Sequence, residues 1–202
     1  MSEVFRVMRY LIALPNRGWK PSDHGQLVSR VKTLLSGTDA RVIEVRISDL
    51  RVEVDLRTER VHEVIERLRA IGEVLYHVAV GVDEGDVDPF ERALTLYGDR
   101  RYWEAHESLE ALWRRSSGDE KALLNGLILL AAAHVKLQVG DAEGYFRLLG
   151  RALEKLKASG LREYRGLDIR EIADQITMTF KEGQAAFGRI GLVRRGSARN
   201  TY

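Results

Sequence analysis

"LRVEVDLR", residues 50–57, decides the first half of the fold. Leu50, Val52, Val54 and Leu56 alternate with Arg51, Glu53, Asp55 and Arg57, a period of two that gives a strand one apolar and one charged face. Just before it, Ser48-Asp49 suits a tight turn, so "RVIEVRIS" (41–48) reads as the hairpin partner. Further back, Leu27, Val31, Leu34 and Leu35 fall at helical spacing within 22–36, and "VFRVMRYLIAL" (4–14) reads as a strand. Forward of the hairpin, Val61, Val64, Ile65 and Leu68 share one face of a helix over 59–71, and "VLYHVAVGV" (74–82) is a fourth strand. The order βαββαβ with right-handed crossovers predicts a four-stranded antiparallel sheet covered by two helices, the ferredoxin-like arrangement. The outward charges of the strands read as a solvated or domain-packing face.

The pattern then changes period. "GVDEGDVDP" (81–89) is rich in Gly and Asp and ends at a helix start, with Asp88 as N-cap and Pro89 at the first position. Helices follow at about 89–98, 101–116, 119–139, 142–159 and 168–187. The fold class is therefore α+β. A ferredoxin-like domain (1–82), a linker (83–88), a helical bundle (89–188) and an unstructured basic tail (189–202) are expected.

Of 202 residues, 45% are hydrophobic and 31% charged, a globular composition with ample apolar material for cores. The net charge is only +2, and the tail's Arg189, Arg194, Arg195 and Arg199 more than account for it, leaving about −2 elsewhere. No global field selects nucleic acid or a membrane surface. Without cysteine there are no disulfides, thiol nucleophiles or cysteine-held metals. Charges interrupt the apolar run at the N-terminus, so no signal peptide is read. The longest apolar stretch is shorter than the roughly 20 residues of a membrane span. A cytoplasmic protein with a thermophile-like composition is the expectation.

The distinctive chemistry lies in "YWEAHESLEALW" (102–113). On a helix, Tyr102, Ala105, Leu109, Leu112 and Trp113 form the apolar face. His106 and Glu110 lie at its border, Trp103 lies beside Glu110, and Glu104 and Glu107 turn towards water. The next helix is apolar or small at almost every position and reads as enclosed. Asn125, Leu129, Ala132 and Lys136 share one of its stripes, while His134 points the opposite way. A buried lysine needs an acid beside it, and Glu110 or Glu107 of the preceding helix is the candidate. The expected cluster is His106, Glu110, Asn125 and Lys136, walled by Trp103 and Trp113. It reads as a structural lock, a small ligand or reaction site, or a metal site.

Residues 94–157 resemble the Domain of Unknown Function 309 family, through "YWEAHESLEALWR", "LLNGLILLAAAHVKLQVGD" and "LLGRALEKL". The resemblance implies a compact helical bundle, with glutamine more usual where Asn125 stands. It also brings a suggestion of metal-dependent hydrolysis.

Other motifs argue against specific chemistries. His106-Glu107-x-x-Glu110 lacks the second histidine of a zincin, and the paired Glu-x-x-His of di-iron bundles is missing, so no metal is expected. No glycine-rich phosphate loop occurs, and no cofactor is read. The loop "ALPNRGWKPSDHG" (13–25) carries Asn16, Arg17, Trp19, Lys20 and His24 and reads as plain surface rather than an anion site. The strands lack an aromatic RNA-binding platform, which argues against nucleic acid.

Two functions follow. In the first, a binding or assembly module recognises a small molecule, a protein or a second copy of the chain, using Trp103, Glu107, Trp113 and Asn125. In the second, a hydrolase uses His106 as base, Glu110 to orient it and Lys136 to stabilise developing negative charge.

Overall fold

The computed structural model describes residues 7–81, 87–192 and 194. The chain divides into two compact units, residues 1–85 with 138–140 and residues 86–137 with 141–202.

In the first unit the elements run β1 (Met8–Pro15), α1 (His24–Leu34), β2 (Arg41–Ile47), β3 (Arg51–Thr58), α2 (Val61–Leu68) and β4 (Tyr76–Ala79). The sheet is antiparallel, in the order β2-β3-β1-β4, which is what two crossovers from the expected connectivity produce. Ile12 pairs with Val54 and Val45 with Val54, so one face collects the apolar set. Leu27, Val31 and Leu35 from α1 and its end, with Val64, Ile65 and Leu68 of α2, pack with Ile12, Leu14, Ile47, Val52, Val54 and Leu56 in one core.

Two details depart from the sequence reading. Leu50 belongs to the β2–β3 turn and is 50% exposed, because Ser48 N–H and Oγ bond the Arg51 carbonyl and close the turn before the strand starts. Of the two readings of the charged face, the solvated one holds only in part: Arg57 is exposed, but Arg46, Glu53 and Asp55 are 4%, 2% and 1% exposed. Asp55 accepts from Arg9 Nε (2.8 Å) and Nη2 (2.7 Å) on one neighbouring strand and from Arg46 Nη2 (2.9 Å) on the other. Burial would raise its pKa, but the hydrogen bonds and charges of Arg9 and Arg46 outweigh that and lower it.

The loop after β1 folds around Asn16, whose amide donates to the carbonyls of Trp19 (2.8 Å) and Ser48 (2.7 Å). Its side-chain oxygen accepts from Gly18 and Trp19 N–H. His24 meets Glu44 at 3.0 Å. These groups hold the loop's own shape.

The second unit holds α3 (Pro89–Gly98), α4 (Tyr102–Trp113), α5 (Gly118–Gln138), α6 (Ala142–Ala158) and α7 (Ile169–Glu182). Between α6 and α7 runs a short hairpin, β5 (Glu163–Tyr164) and β6 (Leu167–Asp168). Asp88 caps α3, accepting from Phe90 N–H (2.9 Å) and Glu91 N–H (3.2 Å), and pairs with Arg165 at 3.0 Å. It is thus part of the helical unit; of the expected linker, 83–86 lie outside the described residues. At Gly126 a Cβ would come within 2.8 Å of the Leu156 side chain, so α5 and α6 approach more closely than any other residue allows. Helix α7 ends at Glu182, five residues before the expected end, because Gly183 takes the left-handed cap conformation (φ 64°).

The start of the expected tail is packed. Ile190 is 2% exposed within the helical core, Gly191 N–H donates to Gln175 Oε1 (2.9 Å), Arg189 pairs with Glu182, and Arg194 pairs with Glu91. An apolar side chain among arginines is enough to anchor that stretch. The remaining tail positions, 193 and 195–202, lie outside the described residues. No described helix is long and apolar enough to cross a membrane.

Candidate functional site

Helix α4 sets the site. Tyr102, Ala105 and Leu109 are buried, which turns Trp103, His106, Glu110 and Trp113 onto a half-exposed border. The indole of Trp103 stacks on the His106 ring, with centroids 5.6 Å apart and planes 8° from parallel. His106 Nδ1 lies 3.3 Å from the Ile128 carbonyl, and its Nε2 lies 3.3 Å from Glu110 Oε1. A carbonyl only accepts, so Nδ1 carries a hydrogen. The Nε2 contact is then a hydrogen bond only if the ring is imidazolium or Glu110 is protonated. The second oxygen of Glu110 meets Arg114 at 3.2 Å.

The facing strip of α5 is fixed by two contacts. His106 reaches Ile128, and Lys121 Nζ sits 4.4 Å over the Trp113 ring. Seven residues forward on α4 match seven residues back on α5, as in an antiparallel pair. Asn125 falls between them, one turn from each, half-buried and with no side-chain hydrogen bond among the described residues. Glu107 is exposed. Glu104, expected in water, is 9% exposed and makes a bidentate pair with Arg101 at 2.7 and 2.5 Å.

Lys136 does not join this group. It lies eight residues beyond Ile128, roughly 12 Å along the helix, and pairs with Asp141 at 3.2 Å, the two side chains 41% and 37% exposed. The expected enclosed Lys136–Glu110 pair is therefore replaced by a wet pair at the end of α5. The stripe Asn125, Leu129, Ala132, Lys136 is the outer stripe of the helix, half-exposed along its length.

The buried polar group of α5 is His134, 0% exposed. The rings of Tyr97, Tyr102 and Tyr145 surround it at centroid distances of 5.4, 4.6 and 5.5 Å. Its Nδ1 faces the Leu130 carbonyl (3.0 Å) and the Tyr97 hydroxyl (3.2 Å), while Nε2 has no partner among the described residues. Burial lowers its pKa from 6.5 to about 4, with the Leu130 carbonyl opposing and the Arg100 charge adding to the shift. It is neutral at pH 7. The signal in the sequence is its place on α5, opposite the stripe of Asn125 and Lys136.

Residues 90–148 match the family model Domain of unknown function (DUF309). The DUF309 segment spans less than a third of the chain and contains every candidate residue from Trp103 to Lys136. It includes α4 and α5 whole, the two helices that build the site, and so agrees with the resemblance read from the sequence. No curated protein matches the chain. Among the described residues no three His, Cys, Asp or Glu side chains are grouped as a metal ion would require.

Proposed function

We propose that the helical unit is a binding module whose recognition strip is the α4–α5 seam, and that the protein is a cytoplasmic one joining this module to a ferredoxin-like domain. The observation that carries the reading is the solvent-accessible Asn125 amide, free of protein hydrogen bonds among the described residues and placed by register beside the His106–Glu110 couple and between two indoles. Neither polar atom of the amide is buried, so both are open to a ligand. The couple offers a proton donor and an acceptor, the amide offers one of each, and the indoles offer flat apolar surface. That combination suits a small planar group that both donates and accepts, such as an amide of a peptide or of a heteroaromatic ring. A lysine beside His106 would have favoured hydrolysis, and Lys136 is committed elsewhere.

The test is a titration of the full chain with capped dipeptides and nicotinamide, followed by amide chemical shifts. Shifts should gather on Trp103, His106, Glu110, Trp113 and Asn125, and His106→Ala should remove them. Because the His106–Glu110 pair is 19% and 38% exposed, that variant should lose under about 1 kcal/mol of stability. Shifts confined to other regions, or a loss of about 3 kcal/mol or more, would instead make the cluster a structural lock.

A further inference from the structure

We infer that the cleft between α6 and α7 is a binding site for a small amphipathic anion, a carboxylate or phosphate carried on an apolar body. The cleft has a volume of about 190 Å³, below the roughly 300–1,000 Å³ of sites for drug-sized ligands. Its floor is apolar: Leu156 from α6, Leu161 from the connection, Ile169 and Ala173 from α7. Its rim is cationic: Lys157, Arg162 and Arg170. No acid lines it.

Several cations elsewhere in the unit are neutralised by acids. There Arg101 pairs with Glu104, Arg147 with Glu143, Arg165 with Asp88, Arg189 with Glu182 and Lys136 with Asp141. Lys157, Arg162 and Arg170 are exposed and have no ion-pair partner among the described residues. Three like charges around one cleft repel one another, and a bound anion removes that repulsion. The helix ends do not supply this field. The cleft lies between the C-terminal end of α6 and the first turn of α7, whose opposite half-charges largely cancel. Asp168 already accepts from the Arg170 and Glu171 N–H groups at that turn. The selectivity must therefore come from the side chains: the guanidinium groups for the head, the leucines and isoleucine for the body.

Phenyl phosphate is the probe, with inorganic phosphate and phenol as its two halves, each titrated into the full chain and read by amide chemical shifts. Phenyl phosphate should shift residues 157–162 and 169–173 and bind at least about tenfold more tightly than either half, less so as salt rises. The double variant R162Q/R170Q, altered only at exposed positions, should weaken it by about tenfold or more with the unfolding midpoint unchanged. Ala173→Leu, which narrows the floor, should weaken it while leaving inorganic phosphate unaffected. Equal binding of inorganic phosphate would leave the floor without a role, and equal binding of phenol would leave the cations without one. Either result, or no shifts in the cleft, overturns the assignment. The outcome is independent of the α4–α5 reading.

Discussion

Replacing His134 by Phe tests whether the centre of the helical unit holds a neutral imidazole. The ring is fully buried among Tyr97, Tyr102 and Tyr145, and burial brings its pKa down from 6.5 to about 4. The unfolded chain therefore binds a proton between those values and the folded one does not. Unfolding takes up protons in that window, so stability falls as pH falls from 6.5 towards 4. Integrated, the loss attributable to this one group is about 2 kcal/mol by pH 5 and about 3 kcal/mol by pH 4. Phenylalanine has no such titration. Denaturant unfolding of both proteins across this range isolates the effect, because the other groups cancel in the difference. At neutral pH His134→Phe should be the less stable, by about 1–3 kcal/mol, since the Tyr97 hydroxyl loses its partner. Towards pH 4 the gap should close or reverse. A difference that stays constant over the whole range would refute the account, and would mean that the cavity admits a proton with compensation.

Asp55→Asn leaves the buried Arg46 guanidinium without its carboxylate and should cost about 3–5 kcal/mol. In the wild type the lowered Asp55 pKa stabilises the fold at pH values above about 4, and this is lost as pH falls through its folded value, whereas Asn at position 55 does not titrate, so the stability gap between wild type and variant should narrow in acid. Ile190→Ala should cost about 2–5 kcal/mol by denaturant unfolding, since the side chain is 2% exposed in the core; no loss would mean that this stretch is not docked. Lys136→Met should cost under about 1 kcal/mol, whereas Asp141→Ala, which also removes the cap bonded to Gly144 N–H at 2.7 Å, should cost about 1–2 kcal/mol. A larger loss for the lysine variant would restore a buried pair.

Alternation made β3 legible, because a strand with one buried face writes its period directly into the sequence. What covers the other face is not a local property, and so the burial of Glu53 and Asp55 could not be read from it. The β5–β6 hairpin has two residues per strand, too few to show any period. The end of α7 was legible in Gly183 and was overrun only because polar helix-compatible residues continue past it. Helix α5 was the hardest case. When nearly every position is apolar, periodicity no longer says which stripe faces out. Its polar residues then decide, and Lys121, Asn125 and Lys136 mark the half-exposed side as a group.

Those polar residues also bear on where function can reside. A strongly displaced pKa in a cleft is a reasonable pointer to a working residue, because catalysis needs groups tuned away from their ordinary values. Here the displaced histidine is His134, and no atom of it reaches solvent. A substrate could meet it only after the tyrosine rings around it had moved apart. Its displacement therefore reports packing. His106 has the opposite character: it is accessible, held from one side by a backbone carbonyl and from another by a carboxylate, and stacked on an indole. Accessibility combined with restraint is what recognition requires, since a side chain already held in place loses little further freedom when a ligand arrives. The two histidines of the α4–α5 pair thus differ by position, one filling the interior and the other lying on the half-exposed border where the proposed recognition strip runs.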